Sequence, residues 1–251
     1  MENWTIGEDF TLPSKGKVYP ANKKVNANIK LRSMTTEEGM KRLGHSPYVY
    51  KMFSEMIDDC LVEKPGISTY DMCIGDYQYL LFKLRTVTYG PDYTIQSYCP
   101  LCGNINKITV NLDNLKINTY DDSMDHSLEV QLPVSKKIIK LRWQTPRMLD
   151  EIEKLTKEQN SKSSNDIESA VLFNTMYLID TIDGVEYDEV KKEAFVRSLP
   201  MRDTNFILQK AKKLVGKIGI ETTFTHTCES CQRDYKITLP ITGEFFGPSE
   251  D

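Results

Sequence analysis

The apolar and polar positions of the chain form two successive series that predict the same order of elements. Each series opens with a short strand, predicted over residues 25–31 in the first and 137–141 in the second, and a helix start follows. In the first helix of the second series, Met148, Ile152 and Leu155 stand four and three residues apart, a spacing that places side chains on one helix face. We interpret this apolar face as core packing.

Both helix starts carry residues that cap a helix. Thr35 and Glu38 have the spacing of a capping box, in which a Thr side chain and a Glu three residues later satisfy free backbone N–H groups. In the second series Thr145 precedes Pro146, and proline is well tolerated at the first helical position. Further helices are predicted over 50–62, 74–85, 166–182 and 203–215, a turn at Asp183-Gly184, and closing strands over 106–112 and 235–241.

Sequence matches in a constant order indicate an internal duplication. Residues 98–103 match 227–232 and residues 107–110 match 236–239 at an offset of 129, while residues 29–32 recur at 139–142 at an offset of 110. The growth of the offset from 110 to 129 gives the second copy about 19 extra residues. The polar run 160–165 is typical of a surface loop and is expected to hold some of them.

These patterns predict an α+β protein made of two duplicated units related by a pseudo-twofold axis. Each unit would contain a strand, helices and a β-hairpin that carries a Cys-x-x-Cys zinc knuckle. The expected division is an N-terminal arm over 1–24, unit 1 over 25–115, a linker over 116–129, and unit 2 with a C-terminal tail over 130–251. The linker is rich in aspartate, and we interpret it as a solvated connection.

Four of the six cysteines form two Cys-x-x-Cys pairs, Cys99 with Cys102 and Cys228 with Cys231. The first residues lack a basic and then apolar leader, so we expect no signal peptide and a reducing compartment, where such pairs are more often metal ligands than disulfides. One knuckle supplies only two of the four ligands of zinc. We therefore predict that the two pairs share one structural Zn²⁺ site, which would clamp the two hairpins together.

Alternatives stay open for the cysteines and histidines. The two pairs could instead be redox motifs of the thioredoxin type, surviving disulfides or vestigial knuckles, although a redox pair should open a helix and here a strand follows. His226 stands two residues before the third cysteine and could replace a ligand, whereas His45 and His126 have no partner pattern. Cys60 and Cys73 lie in or beside predicted helices, and buried packing is their expected role.

Charge and motif content narrow the function. The net charge is −4, and Lys and Arg are spread along the chain, which argues against nucleic acid as the main partner. No apolar run is long enough to span a bilayer. No P-loop, G-x-S-x-G, H-E-x-x-H or dinucleotide fingerprint is present, so we expect a protein that is not an enzyme. Two alternative functions stay open: a zinc-ribbon module that binds nucleic acid, and an enzyme in which zinc only stabilises the fold.

Both ends of the chain carry candidate contacts with partners. The N-terminal arm is rich in turn residues, and its candidate contact residues are Pro13, Lys15, Gly16 and Tyr19. Near the other end, Phe245 and Phe246 could pack on the last strand or anchor in a partner, because exposed aromatic side chains mark interfaces.

The arm 12–20, the strand 29–32 before a Thr-Thr-Glu-Glu helix start, the two Cys-x-x-Cys hairpins and the Phe-Phe-x-Pro ending resemble the baseplate proteins of T4-like contractile-tailed phages. Chain length agrees with that group, which includes a hub subunit and a hub assembly protein. The resemblance implies a structural or assembly role through contacts with other baseplate hub proteins, in the host cytoplasm during assembly and in the virion tail baseplate. Two similar units could present similar faces to neighbours, which is compatible with a homo-oligomer.

Overall fold

The computed structural model describes residues 6–20, 22–41, 43–44, 46–124, 128–160, 166–241 and 243–247. Its helices over these residues are α1 (Thr36–Lys41), α2 (Val49–Cys60), α3 (Ile74–Tyr89), α4 (Pro146–Asn160), α5 (Asp166–Leu178), α6 (Glu189–Ser198) and α7 (Met201–Val215). Short 3-10 helices lie at Thr69–Asp71, Leu112–Asn114 and Gly243–Phe246. None of the described helices is both long enough and apolar enough to cross a membrane.

The strands pair into small antiparallel sheets. They are β1 (Gly7–Thr11), β2 (Asn28–Arg32), β3 (Asp92–Tyr98), β4 (Ile105–Asn111), β5 (Ile117–Asn118), β6 (Glu129–Gln131), β7 (Ile138–Leu141), β8 (Ile179–Ile182), β9 (Gly219–Ile220), β10 (Thr223–Thr227) and β11 (Asp234–Thr238). In the described chain β1 pairs with β2, β3 with β4, β5 with β9 and β10 with β11, and β6, β7 and β8 form a three-stranded sheet. This mixture of helices and small antiparallel sheets confirms the α+β class.

The two predicted helix starts are confirmed by their hydrogen bonds. The Glu38 carboxylate accepts from the Thr35 N–H at 2.7 Å, which is one half of a capping box. The Thr145 hydroxyl accepts from the Met148 N–H at 3.3 Å, and α4 begins at Pro146 between them.

Two parts of the second half differ from the sequence prediction. The segment predicted as one helix over 166–182 is helical only to Leu178, and its last four residues form β8 along β7. Three of those four residues are β-branched, and such residues fit a half-buried sheet better than a helix. Helix α6 was not predicted. It begins after Asp188, whose carboxylate accepts from the Lys191 N–H at 2.8 Å.

Apolar side chains form two core clusters that do not follow the two expected units. One cluster joins helices α2 and α3 and hairpin β3–β4 to hairpin β10–β11 and the segment after it. The other lies between residues 132 and 211. The last hairpin therefore packs on the core of the N-terminal half.

The segment expected to be a solvated linker is partly held by the fold. Strand β5 pairs with β9, and the buried Tyr120 donates its N–H to the Pro13 carbonyl at 2.8 Å. Asp125, His126, His45 and residues 161–165 of the expected surface loop lie outside the described residues.

A buried carboxylate of α3 holds the segment between β1 and β2. Asp76 is 0% exposed and accepts from the Ser14 N–H at 2.9 Å, from the Ser14 hydroxyl, and from the Tyr19 hydroxyl at 2.6 Å. Burial raises the pKa of Asp76 above its ordinary value, although these donors act in the opposite direction.

A second buried carboxylate, in α7, holds the turn between β6 and β7 in the same manner. Asp203 is 0% exposed and accepts from the backbone N–H groups of Val134 and Ser135, both at 2.8 Å. Burial acts to raise the pKa of Asp203, but the donors of Ser135 and Val134 outweigh it and the pKa is lowered. Helix α3 in the first half and helix α7 in the second half thus each anchor the turn-containing segment at the start of that half.

We expect Asp203→Asn to destabilise the fold more than Asp76→Asn. At Asp203 both carboxylate oxygens face N–H donors, so an amide NH₂ would leave one buried donor without an acceptor, at a cost of about 1–3 kcal/mol. At Asp76 the amide could donate to the Ser14 or Tyr19 hydroxyl, which can also accept. Thermal unfolding of the two variants measures the difference, and equal losses would contradict this account.

Candidate metal centre

The first Cys-x-x-Cys pair lies in the tight turn between β3 and β4. The Cys99 N–H donates to the Asn104 carbonyl at 2.8 Å, and the Gly103 N–H donates to the Cys99 carbonyl at 2.9 Å. Gly103 has a φ of 76°, a region that glycine enters without steric cost. These bonds bring Cys102 back beside Cys99, so both sulfurs face the same side.

The second pair lies in the turn between β10 and β11 and has the same hydrogen bonds. The Cys228 N–H donates to the Arg233 carbonyl at 3.0 Å, and the Gln232 N–H donates to the Cys228 carbonyl at 2.9 Å. Gln232 has a φ of 55° at the place that Gly103 occupies in the first turn. The second knuckle therefore adopts the conformation of the first without a glycine at this position. Gln232 takes a left-handed backbone conformation that is uncommon for residues other than glycine.

The two turns bring all four sulfur atoms together. The sulfurs of Cys99 and Cys231 are 3.8 Å apart, those of Cys102 and Cys228 are 3.6 Å apart, and all four lie within 4.8 Å of one another. A tetrahedral zinc with bonds of about 2.3 Å would hold its sulfurs about 3.8 Å apart. The sulfur spacing fits a tetrahedral metal ion and is too long for a disulfide bond, which measures about 2.05 Å.

Hydrogen bonds and desolvation shift the pKa values of two cysteines in the cluster in opposite directions. Backbone N–H groups of Cys231 and Ser230 favour the thiolate of Cys228 and lower its pKa to about 6. For Cys102 the Asn104 N–H lowers the pKa, but desolvation and the three neighbouring sulfurs outweigh it and raise the pKa to about 11. The Cys102 thiol in turn lowers the pKa of Cys228 and of Cys231 through its hydrogen bonds to their sulfurs, so a bound cation would chiefly favour the thiolate of Cys102 itself.

A buried amide beside the cluster was missed from the sequence. Asn106 is 0% exposed; its NH₂ lies 3.8 Å from the Cys228 sulfur and donates to the Tyr235 hydroxyl at 3.1 Å. Its carbonyl oxygen accepts from the Glu229 N–H at 3.1 Å. Asn106 and Tyr235 each stand four residues after the second cysteine of their own knuckle. This equivalence is the sequence signal from which their contact could have been predicted. This bridge between the two hairpins can orient the sulfur of Cys228.

The remaining histidine and cysteine candidates lie apart from the four sulfurs. His226 is not part of the cluster, and its ring meets Tyr235 edge to face at 5.8 Å. Cys60 is buried among apolar residues, and burial raises its pKa to about 12. Cys73 is also buried, and it accepts from the Tyr19 hydroxyl at 3.6 Å.

The candidate contact residues of the arm differ in exposure. Lys15 is exposed and has a φ of 52°, next to Gly16 with a φ of 72°. Pro13 is buried, and Tyr19 is half-buried with its hydroxyl on the Asp76 carboxylate. Of this set, only Lys15 offers an exposed side chain.

The candidate aromatic anchors near the C-terminus lie inside the chain's own core. Phe245 and Phe246 are both 0% exposed. The Phe245 ring lies 4.9 Å from the Phe82 ring, and the Phe246 ring lies 5.4 Å from the Phe53 ring. These positions match packing inside the chain and not an exposed anchor for a partner. The two rings pack mainly on helices α2 and α3, whereas the sequence suggested the last strand.

A cleft of about 780 Å³ lies between the N-terminal arm and the segment around β7. Its two lining carboxylates are already ion-paired, Asp71 with Arg147 at 2.6 Å and Asp180 with Arg142 at 3.2 Å. The described lining therefore offers no pair of carboxylates placed for acid–base catalysis.

Comparison with known proteins adds one positive finding. A family model described as T4 bacteriophage base plate protein matches residues 6–247. No curated protein and no solved structure matches the chain.

Proposed function

Because the chain belongs to the T4 bacteriophage base plate protein family, we propose that it helps to build the central hub of the tail baseplate by binding other hub proteins. Membership gives the chain a structural role as a component of the virion tail baseplate. The hub location, assembly in the host cytoplasm and the absence of catalysis are parts of the proposal. The observation that carries it is the extent of the match, which includes both halves and all four clustered cysteines.

Within this proposal, Cys99, Cys102, Cys228 and Cys231 bind one structural Zn²⁺ that braces the two hairpins. The sulfur spacing of 3.6 and 3.8 Å across the hairpins supports a tetrahedral ion. Four protein ligands leave no open position for a substrate or water, so the ion would stabilise the fold and take no part in a reaction.

We further propose that the chain arose by internal duplication, with units over 25–115 and 130–251 joined by 116–129. Matching details on the two hairpins support this. Thr94 and Thr109 share a hydroxyl hydrogen bond of 2.9 Å across β3–β4, and Thr223 and Thr238 share one of 2.9 Å across β10–β11. The Asp76 and Asp203 anchors are a second matched pair.

In this proposal, the exposed turn at Lys15 in the N-terminal arm is one of the surfaces that contact other baseplate proteins. A zinc-ribbon function in nucleic-acid binding has less support, because the net charge of the chain is −4, whereas a nucleic-acid-binding domain usually carries a basic balance. A homo-oligomer within the baseplate is compatible with two similar units.

We expect the protein to co-purify with the central hub of baseplates isolated from infected cells, and a nonsense mutation in its gene to stop baseplate completion. Quantitative mass spectrometry of isolated hubs and of peripheral baseplate parts measures the first outcome, and electron microscopy of the mutant lysate measures the second. Recovery only with peripheral parts would overturn the hub location. Normal tails in the mutant would overturn the assembly role.

A further inference from the structure

The strand pairs β1–β2 and β6–β7 are closed by the same kind of hydrogen bond but by loops of different length. The N–H of the buried Leu12 donates to the Ala27 carbonyl at 2.8 Å, and the N–H of the buried Leu132 donates to the Lys137 carbonyl at 2.9 Å. Fifteen positions separate the first two residues and five separate the second two, so the loop after β1 is ten residues longer. We call residues 17–26 of this longer loop the basic insert.

The basic insert carries charge of one sign. It contains Lys17, Lys23 and Lys24 and no aspartate or glutamate, and all three lysines are exposed. Among the described residues, no carboxylate pairs with any of them. Since β6 and β7 pair without such a segment, the strand pair itself does not require the insert or its charge.

The basic insert lines the cleft of about 780 Å³ beside β7, and this cleft has an excess of positive charge. Five cationic side chains line it, namely Lys17, Lys23, Lys140, Arg142 and Arg147. Its two carboxylates, Asp71 and Asp180, leave an excess of three positive charges, in a chain whose net charge is −4. The buried Nε of Arg142 also has no acceptor among the described residues. The cleft therefore lacks negative charge and hydrogen-bond acceptors.

The chain holds the basic insert in place. The Tyr19 hydroxyl donates to the buried Asp76 carboxylate at 2.6 Å, and the Asn26 N–H donates to the Pro65 carbonyl at 3.0 Å. A ligand that contacted Lys17 and Lys23 would therefore lose less entropy in ordering this segment than in ordering a free loop.

We propose that this cleft binds an acidic segment of another baseplate protein, with carboxylates of that segment on Lys17 and Lys23. Cations gathered in one cleft repel each other, and carboxylates between them convert this repulsion into attraction. A free inorganic anion fits less well, because it would leave the apolar side chains of Val18, Ile67 and Trp143 in the cleft exposed to water. The inference rests on the proposed function, which identifies the setting of the partner.

Zero-length cross-linking of baseplates isolated from infected cells identifies what lies in the cleft. A carbodiimide forms an amide between a lysine amine and a carboxylate that touch each other. We expect Lys17 or Lys23 to be linked to an aspartate or glutamate of a different baseplate protein, read by mass spectrometry of the linked peptides. Links only to carboxylates of this chain, in the same or a second copy, would overturn the proposal. Links from Lys24 alone, which does not line the cleft, or no link from Lys17 or Lys23, would overturn it too.

The variant Lys17→Gln/Lys23→Gln then tests the cleft in solution, with the purified cross-linked protein as the probe. The matched control is Lys212→Gln/Lys213→Gln, which removes the same charge from exposed positions of α7. We expect the probe to bind the parent and the control equally and the cleft variant about tenfold more weakly, as for the loss of two ion pairs. The difference should shrink in about 0.5 M salt, which screens charges.

Circular dichroism and melting temperature establish that both variants are folded, which the exposure of all four lysines leads us to expect. Equal binding of the parent and a folded cleft variant would overturn the proposal. The proposed function is judged separately, by recovery of the protein with the hub and by the tails of the nonsense mutant, so either can fail without the other.

Discussion

Cys228→Ser is expected to abolish the binding of one zinc per chain and to lower the thermal stability of the whole protein. Metal binding at closed thiolate sites is worth on the order of 10 kcal/mol and becomes folding energy, because the unfolded chain has no preformed site. Here the facing cysteines Cys102 and Cys228 lie 126 residues apart in the chain, so the ion would hold distant segments together. Elemental analysis of the reduced protein and differential scanning calorimetry measure the two effects.

The control for this prediction is Ser230→Ala in the same turn. Ser230 is exposed and its side chain is not one of the clustered ligands, so metal content and melting temperature should stay close to those of the parent. The four-thiolate site would be contradicted if the Cys228→Ser protein kept its zinc. It would also be contradicted if the parent chain, prepared under reducing conditions, contained no zinc.

Phe245→Ala is the second change from which we expect a large loss, about 3–5 kcal/mol of unfolding free energy. The Phe245 ring is fully buried against Phe82 at 4.9 Å and Tyr93 at 5.1 Å, and the guanidinium of Arg85 lies 5.8 Å from it. Removing the ring would leave a cavity in the cluster that joins the last hairpin to helix α3. Urea unfolding followed by fluorescence measures the loss.

Glu244→Ala provides the matched control, because Glu244 is the exposed neighbour in the same 3-10 helix. We expect its effect to stay within about 0.5 kcal/mol, as for most surface substitutions. If Phe245→Ala were as stable as Glu244→Ala, the segment after β11 would not be part of the core in solution.

Much of the local structure could be predicted because it depends on neighbours in the sequence. Helix starts at Thr35 and Thr145 follow from hydrogen bonds that reach only three residues along the chain. The two knuckles follow from a spacing that turns two sulfurs to one side. Strand β8 was missed because it follows directly on helix α5 without a turn residue between them, and only pairing with β7 decides that its residues form a strand.

By itself, then, the sequence determined the α+β class, the order of most elements, and the two cysteine pairs, which come together as one cluster. Only the tertiary structure decided which core each segment joins: the last hairpin and Phe245 pack on the N-terminal half, and Asn106 becomes a buried bridge between two hairpins. The physical reason is that burial depends on contacts between residues far apart in the chain, and apolar patterning gives the face of an element without naming the partner that covers it.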